Sequence, residues 1–189
     1  MYYTPYVYPS QHLYYNNAPL YNVSRYPGYW AMPNATEDTQ RFYHLQQQNW
    51  NNKLKLKDYG KVPFVVNINQ ATKQNKTFRT VLWTGNHLQV TLMSIDVGED
   101  IGLEIHPNVD QFLRIEQGQG IVQMGERKEH LTFKRKVKDD SAIMIPAGTW
   151  HNVTNTGNIP LKLYSIYAPP NHPFGTVHAT KADAMMMED

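Results

Sequence analysis

The chain predicts an all-β sandwich or barrel preceded by an irregular N-terminal tail, and three observations carry that expectation. Between residues 61 and 168, about ten short runs rich in β-branched and aromatic residues succeed one another, separated by Gly, Asn, Asp and Pro. The length of 189 residues suits one domain of average size plus a tail, with a core that needs no disulfides, and cysteine is absent. Residues 1–35 differ in kind: nine of the 13 tyrosines precede Trp30, five prolines fall up to Pro33, and Arg25 is the only charged side chain.

Prolines at that density remove backbone donors and break regular structure, so residues 1–35 are expected to form a disordered tail without a packed core. Its interleaved Tyr, Asn and Pro also suit an adhesive or assembly segment, compositionally similar to the tyrosine-rich tails of bacterial spore-coat proteins, or a cover for apolar surface on the barrel. Residues 36–60 read as a linker with a helix signal up to about residue 52: Asn34 is a candidate cap, Glu37 lies three residues on, and Phe42, Tyr43, Leu45 and Trp50 are loosely spaced for one face.

A barrel domain is expected over residues 61–180. The strand candidates are residues 62–68, 78–83, 88–97, 101–106, 111–116, 121–124, 130–134, 142–145, 149–154 and 161–168, with turns at Gly85-Asn86, Gly98 and Gly118-Gln119-Gly120. Beyond Ala168, the sequence Pro169-Pro170-Asn171-His172-Pro173 cannot pass through a strand interior and should leave the barrel to lie across its surface. Residues 181–189 are expected to fray.

Composition narrows the function classes. Without cysteine there is no thiolate zinc site, and a net charge of +2 is too mild to argue for nucleic acid. The basic run Lys128, Lys134, Arg135, Lys136 and Lys138 reads as a solvated hairpin surface. No apolar run approaches the roughly 20 residues of a spanning helix, and the N-terminus lacks the features of a secretory signal. A soluble chain made without export, cytoplasmic or delivered to a spore coat, is the expectation.

Two stretches concentrate metal-ligating side chains. The first runs Gly98-Glu99-Asp100-Ile101-Gly102-Leu103-Glu104-Ile105-His106, with Gln111 and Gly118 further on; the second runs Pro146-Ala147-Gly148-Thr149-Trp150-His151, with Asn155 after it. Strand side chains alternate, so Glu104 and His106 share a face about 7 Å apart along the chain. Gly148 can adopt a positive φ in the turn that sets His151 at a strand start. Two imidazoles, a carboxylate and the amide oxygen of Gln111 can therefore converge. By alternation Leu113 and Ile115 point inward with Gln111, and Val153 with His151. Tyr164 or Tyr167, with Trp83 or Met93, are candidates for the rest of the cavity wall, and plain core is the alternative for each. The other histidines, among them His87, His130, His172 and His178, read as surface or satisfied core residues. Asp110 is an alternative acid to Gln111, placed by alternation on the opposite side.

The two stretches resemble the paired motifs of the cupin superfamily, small single-domain bacterial cupins above all. The usual first motif is glycine, five residues, His-x-His, three or four residues, glutamate, six residues, glycine. The usual second is glycine, five residues, Pro-x-Gly, two residues, histidine, three residues, asparagine. Every spacing step is matched, with Glu104 in place of the first histidine, Gln111 in place of the glutamate and Asp140 in place of the glycine opening the second motif. Gly98, Gly118, Pro146, Gly148 and Asn155 occupy the structural positions.

The resemblance implies a jelly-roll β-barrel over residues 61–180 holding one divalent metal at Glu104, His106, Gln111 and His151. Two imidazoles and a carboxylate are the composition of a non-haem iron centre, which favours Fe2+ and leaves Mn2+, Ni2+ or Zn2+ open. It further implies a metal-dependent enzyme, dioxygenase-like, acting on a small oxygen-rich molecule. A sugar-phosphate isomerase, and a structural or ligand-binding barrel tethered by its tail to an assembly such as a spore coat, are the alternatives. The expected partners are a small ligand and a second copy in a homodimer, with no nucleic acid and no membrane.

Overall fold

Inward-facing residues of two antiparallel sheets build the core, as seen in a computed structural model that describes residues 54–186. The tyrosine-rich tail, residues 36–53 of the expected linker and residues 187–189 lie outside the described residues. The elements are α1 (Ile68–Gln74), β1 (Arg79–Thr84), β2 (Gln89–Ile95), β3 (Asp110–Gln117), β4 (Gln119–Gly125), β5 (Phe133–Lys138), β6 (Ala142–Ile145), β7 (Trp150–Asn155), β8 (Leu161–Ala168), β9 (Val177–His178) and α2 (Lys181–Met185). One sheet has the order β6-β3-β8-β2-β1-β9 and the other β5-β4-β7. This is the all-β jelly roll expected from the motifs. Among the described residues, no helix is long and apolar enough to cross a membrane.

The alternation of side chains gives the larger sheet two faces of different chemistry. Cross-strand pairing places Gln89, Tyr167 and Gln111 in one row across β2, β8 and β3. Thr91, Ser165 and Leu113 form the next row, and Met93, Leu163 and Ile115 the one after. The inner surface thus grades from a polar end to an apolar one, which ends at Ile95 and Leu161. On the opposite face Leu82, Leu92 and Tyr164 pack with Ala71 of α1 and with Leu54, Leu56, Tyr59 and Phe64 of the preceding segment.

Residues 62–68 are not a strand. Pro63 has no N–H to donate, and Asn67 caps α1 by accepting from the Gln70 N–H at 3.0 Å, so the chain turns into a helix where alternation suggested extension. The segment before it still follows β1, donating from Tyr59 N to Leu82 O at 2.9 Å and from Lys61 N to Thr84 O at 3.0 Å. Residues 54–60 contain no helix. Residues 101–106 pair through the isolated bridge Glu104↔His151 rather than as a full strand, and β5 lies three to four residues later than expected at Phe133–Lys138. Residues 181–185 do not fray: Thr180 and Asp183 form a reciprocal capping box and Ala184 is buried in the core.

Two motif positions show why the local backbone needs them. Gly118 has φ +89°, and a Cβ there would lie 3.2 Å from Leu161 Cα. Asp140, which stands where the second motif usually opens with glycine, keeps the left-handed conformation at φ 68°. Aspartate tolerates that region better than most residues, and Arg114 Nη2 donates to its Oδ1 at 2.6 Å.

Candidate metal centre

Backbone hydrogen bonds join the two motifs before any side chain does. Glu104 N donates to His151 O at 3.0 Å and His151 N donates to Glu104 O at 2.9 Å, so residues 47 positions apart form a fully bonded cross-strand pair. Gly148, at φ +75°, donates its N–H to His106 O at 2.9 Å and ties the turn before His151 to the far end of the first motif.

The side chains of Glu104, His106 and His151 converge, with candidate ligand atoms within 4.8 Å of one another. Glu104 Oε1 lies 3.4 Å from His106 Nε2 and 3.3 Å from His151 Nε2. These separations are long for hydrogen bonds but match ligand atoms that share one cation, about 3.0–3.4 Å apart for bonds of about 2.1 Å. His151 Nδ1 lies 2.9 Å from Thr149 O, which selects the Nδ1–H tautomer and turns an Nε2 lone pair toward the cluster. The Nε2 atoms of His106 and His151 are buried and have no hydrogen-bond partner among the described residues. The group therefore fits a divalent cation: two imidazole nitrogens and one carboxylate oxygen are held ready and otherwise unspent.

Gln111 faces inward on β3, directly across from Tyr167. Its Nε2 donates to Ser165 Oγ at 3.0 Å, and its buried Oε1 has no hydrogen-bond partner among the described residues. Asp110 is exposed and accepts from Ala147 N at 2.9 Å, outside the cluster. Leu113, Ile115 and Val153 are fully buried but sit in the apolar core beneath the cavity rather than in its wall.

Tyr164 does not line the cavity. It pairs with Leu92 on the outer face, its ring 6.2 Å from Phe112, while Tyr167 holds the inward position and meets the His106 ring edge-on at 5.5 Å. Met93 is core, and Trp83 donates Nε1–H to Val62 O at 2.9 Å. Asn155 is structural: its Nδ2 donates to Ile95 O at 3.0 Å and Ile159 O at 2.9 Å, and its Oδ1 accepts from Gly157 N at 2.9 Å.

A cavity of about 580 Å³ opens over the cluster, lined by Glu104, His106, Asn171, His172, Thr176 and His178 among others. His172 and His178 thus belong to the site rather than to the surface. Arg79, 1% exposed, brings Nη2 to 3.9 Å from Glu104 Oε2. Burial opposes the charged form of Glu104, but the neighbouring His106 and His151 imidazoles, and after them the Arg79 guanidinium, outweigh it and bring its pKa down to about 2.

Burial, helped by the Arg79 charge, lowers the His172 pKa from 6.5 to about 3. The unfolded chain therefore binds this proton more readily. Its contribution to stability is intact above pH 6.5 and is lost progressively as pH falls toward 3, with a slope of up to about 1.4 kcal/mol per pH unit. Glu104 adds acid sensitivity only below its ordinary value of 4.5. Urea unfolding of metal-free protein at pH values from 6.5 to 4.5 should therefore show a shallower loss in His172→Gln than in the parent. Equal slopes would show that His172 protonates as freely in the folded protein as in the unfolded chain.

Comparison with known proteins agrees with this geometry. A family profile described as a cupin domain matches residues 91–167. The Bacillus subtilis protein YrkC is 67% identical over 189 residues, covering 100% of both chains. A protein of Acanthamoeba polyphaga mimivirus is 44% identical over 115 residues, 60% of this chain and 70% of its own. The crystal structure of a Bacillus halodurans protein matches with a TM-score of 0.68 at 71% identity, covering 69% of this chain and 98% of that one. The motif spacing, the jelly roll and these relatives together establish that the chain belongs to the cupin superfamily.

Proposed function

We propose that the protein is a metal-dependent oxidoreductase of the dioxygenase type, holding Fe2+ at Glu104, His106 and His151 and acting on a small, oxygen-rich molecule in the cavity above them. The observation that carries this reading is the convergence of two imidazoles and one carboxylate within 4.8 Å, with Glu104 and His106 lining an open cavity. When bound, an Fe2+ ion supplies Lewis acidity and coordination positions for substrate and dioxygen. The unpaired Gln111 Oε1 is the proposed neutral fourth ligand, and Mn2+, Ni2+ and Zn2+ suit the same donors.

The chain's own contribution is orientation and charge. Thr149 O fixes the His151 ring, and the neighbouring His106 and His151 imidazoles, helped by Arg79, keep Glu104 ionised. Leu113, Ile115 and Val153 give the centre a dry floor, which strengthens electrostatic interactions above it. Oxygen uptake by Fe2+-loaded protein presented with small diols, hydroxy acids and diketones tests the proposal. Uptake in step with loss of one compound, absent in His151→Ala, is the expected result. Anaerobic turnover of sugar phosphates without any oxygen uptake would replace it with an isomerase.

A further inference from the structure

Residues 171–173 border the cavity, and their placement depends on one buried side chain. Gln89 is 0% exposed, and its amide bonds this strap in both directions. Its Nε2 donates to His172 O at 2.8 Å, while its Oε1 accepts from His172 N at 2.9 Å and Asn171 N at 3.3 Å. The same Nε2 donates to Thr84 Oγ1 at 3.0 Å. The Thr84 hydroxyl donates to Asp58 Oδ2 at 2.6 Å, which also accepts from Gly175 N at 3.0 Å. A segment rich in proline, with few backbone donors of its own, is thereby anchored from the core at two points.

That anchoring spends the backbone of His172 and none of its imidazole. The ring packs edge-on against Tyr167 at 5.0 Å, and His106 packs edge-on against the same ring at 5.5 Å. His172 Nε2 is buried, borders the cavity and has no hydrogen-bond partner among the described residues. A buried polar atom without a partner costs about 1–3 kcal/mol, so a rigid strap that holds one against an open cavity suits a ligand that completes it. Charge indicates the kind of ligand. Glu104 supplies one negative charge, so a divalent cation held there would leave positive charge for the ligand to neutralise.

We propose that His172 is the ligand-recognising residue of this cavity, presenting its Nε2–H to one oxygen of a small chelating anion, a dicarboxylate or a hydroxy or oxo acid, whose other oxygens face Glu104, His106 and His151. The assignment rests on the metal-centre reading above and names its substrate class. Gln89 is a positioning residue that acts through His172. Burial keeps the imidazole neutral, so it contributes direction and selectivity rather than charge.

The test uses Co2+ as the metal and malonate as the anion, both followed in the visible spectrum of the Co2+-loaded protein. Parent, His172→Ala, His172→Gln and Gln89→Ala are expected to bind Co2+ within about threefold of one another, since none removes a ligand. Malonate affinity should fall about tenfold to a hundredfold in His172→Ala, the effect of losing a hydrogen bond to a charged group. His172→Gln, which keeps an N–H donor, should recover part of the loss, and Gln89→Ala should weaken malonate with the imidazole intact. In Zn2+-loaded parent labelled with ¹⁵N-histidine, malonate should move the His172 Nε2 resonance, a readout that survives if an alanine variant fails to fold.

Parental malonate affinity in His172→Ala, or Co2+ affinity falling in parallel with malonate affinity, overturns the proposal while the metal centre stands. A parent that loads Co2+ but takes no malonate overturns the anion assignment. A parent that binds no Co2+ removes the metal-centre reading and this inference with it.

Discussion

Replacing His151 with alanine is expected to lower divalent-metal affinity by more than the roughly 100-fold that loss of an outer partner can cost, because it removes a ligand outright. His151 supplies an Nε2 that the Thr149 carbonyl has already oriented, and it is fully buried, so solvent offers no ready substitute. Glu104→Ala should match it, since the same carboxylate oxygen faces both imidazoles. His87→Ala, at an exposed turn, should leave affinity unchanged. Calorimetric titration of each variant with Zn2+, with circular dichroism as a control for folding, makes the comparison. Parental affinity in folded His151→Ala would remove His151 from the ligand set.

Arg79→Met is expected to destabilise the metal-free protein by about 3–5 kcal/mol, the range seen when one partner of a buried ion pair is removed. Arg79 lies 3.9 Å from Glu104 in the interior and acts with the two neighbouring imidazoles to offset the burial of the carboxylate. A bound divalent cation would supply that missing positive charge, so the loss should be clearly smaller in metal-loaded protein. Denaturant unfolding of both proteins, with and without Zn2+, reads the difference. Equal destabilisation in the two states would mean that Arg79 supports the fold independently of the Glu104 charge.

Most strands were legible because alternation and turn chemistry are local signals. Residues 161–168 and 142–145 were expected at the bounds found, Leu161–Ala168 and Ala142–Ile145. The errors came where a non-local or very short feature decided the outcome. The apolar run 62–68 reads as a strand until the Asn67 cap and the packing of Ile68 against Leu82 and Leu92 are known. β9 is only two residues long, too short for a pattern. The capping box at Thr180 and Asp183 was readable, but the helix it starts has only five residues.

In the site, Glu104, His106 and His151 could be named from spacing, because each belongs to a compact motif. Tyr167 could not be chosen over Tyr164, since that choice depends on the register of β8 against β3, which places Tyr167 opposite Gln111. His172 and Gln89 were invisible as a pair: 83 residues separate them, and only the closed barrel brings the strap over β2. Arg79 left one trace, a lone cation within the otherwise uncharged run 78–83.

Diffraction from crystals grown with Mn2+ and measured near its absorption edge tests the metal centre most directly. The account predicts one anomalous peak within about 2.0–2.3 Å of a Glu104 carboxylate oxygen, His106 Nε2 and His151 Nε2. A peak at a surface histidine such as His87 or His130, with those three side chains bound to nothing, would contradict it.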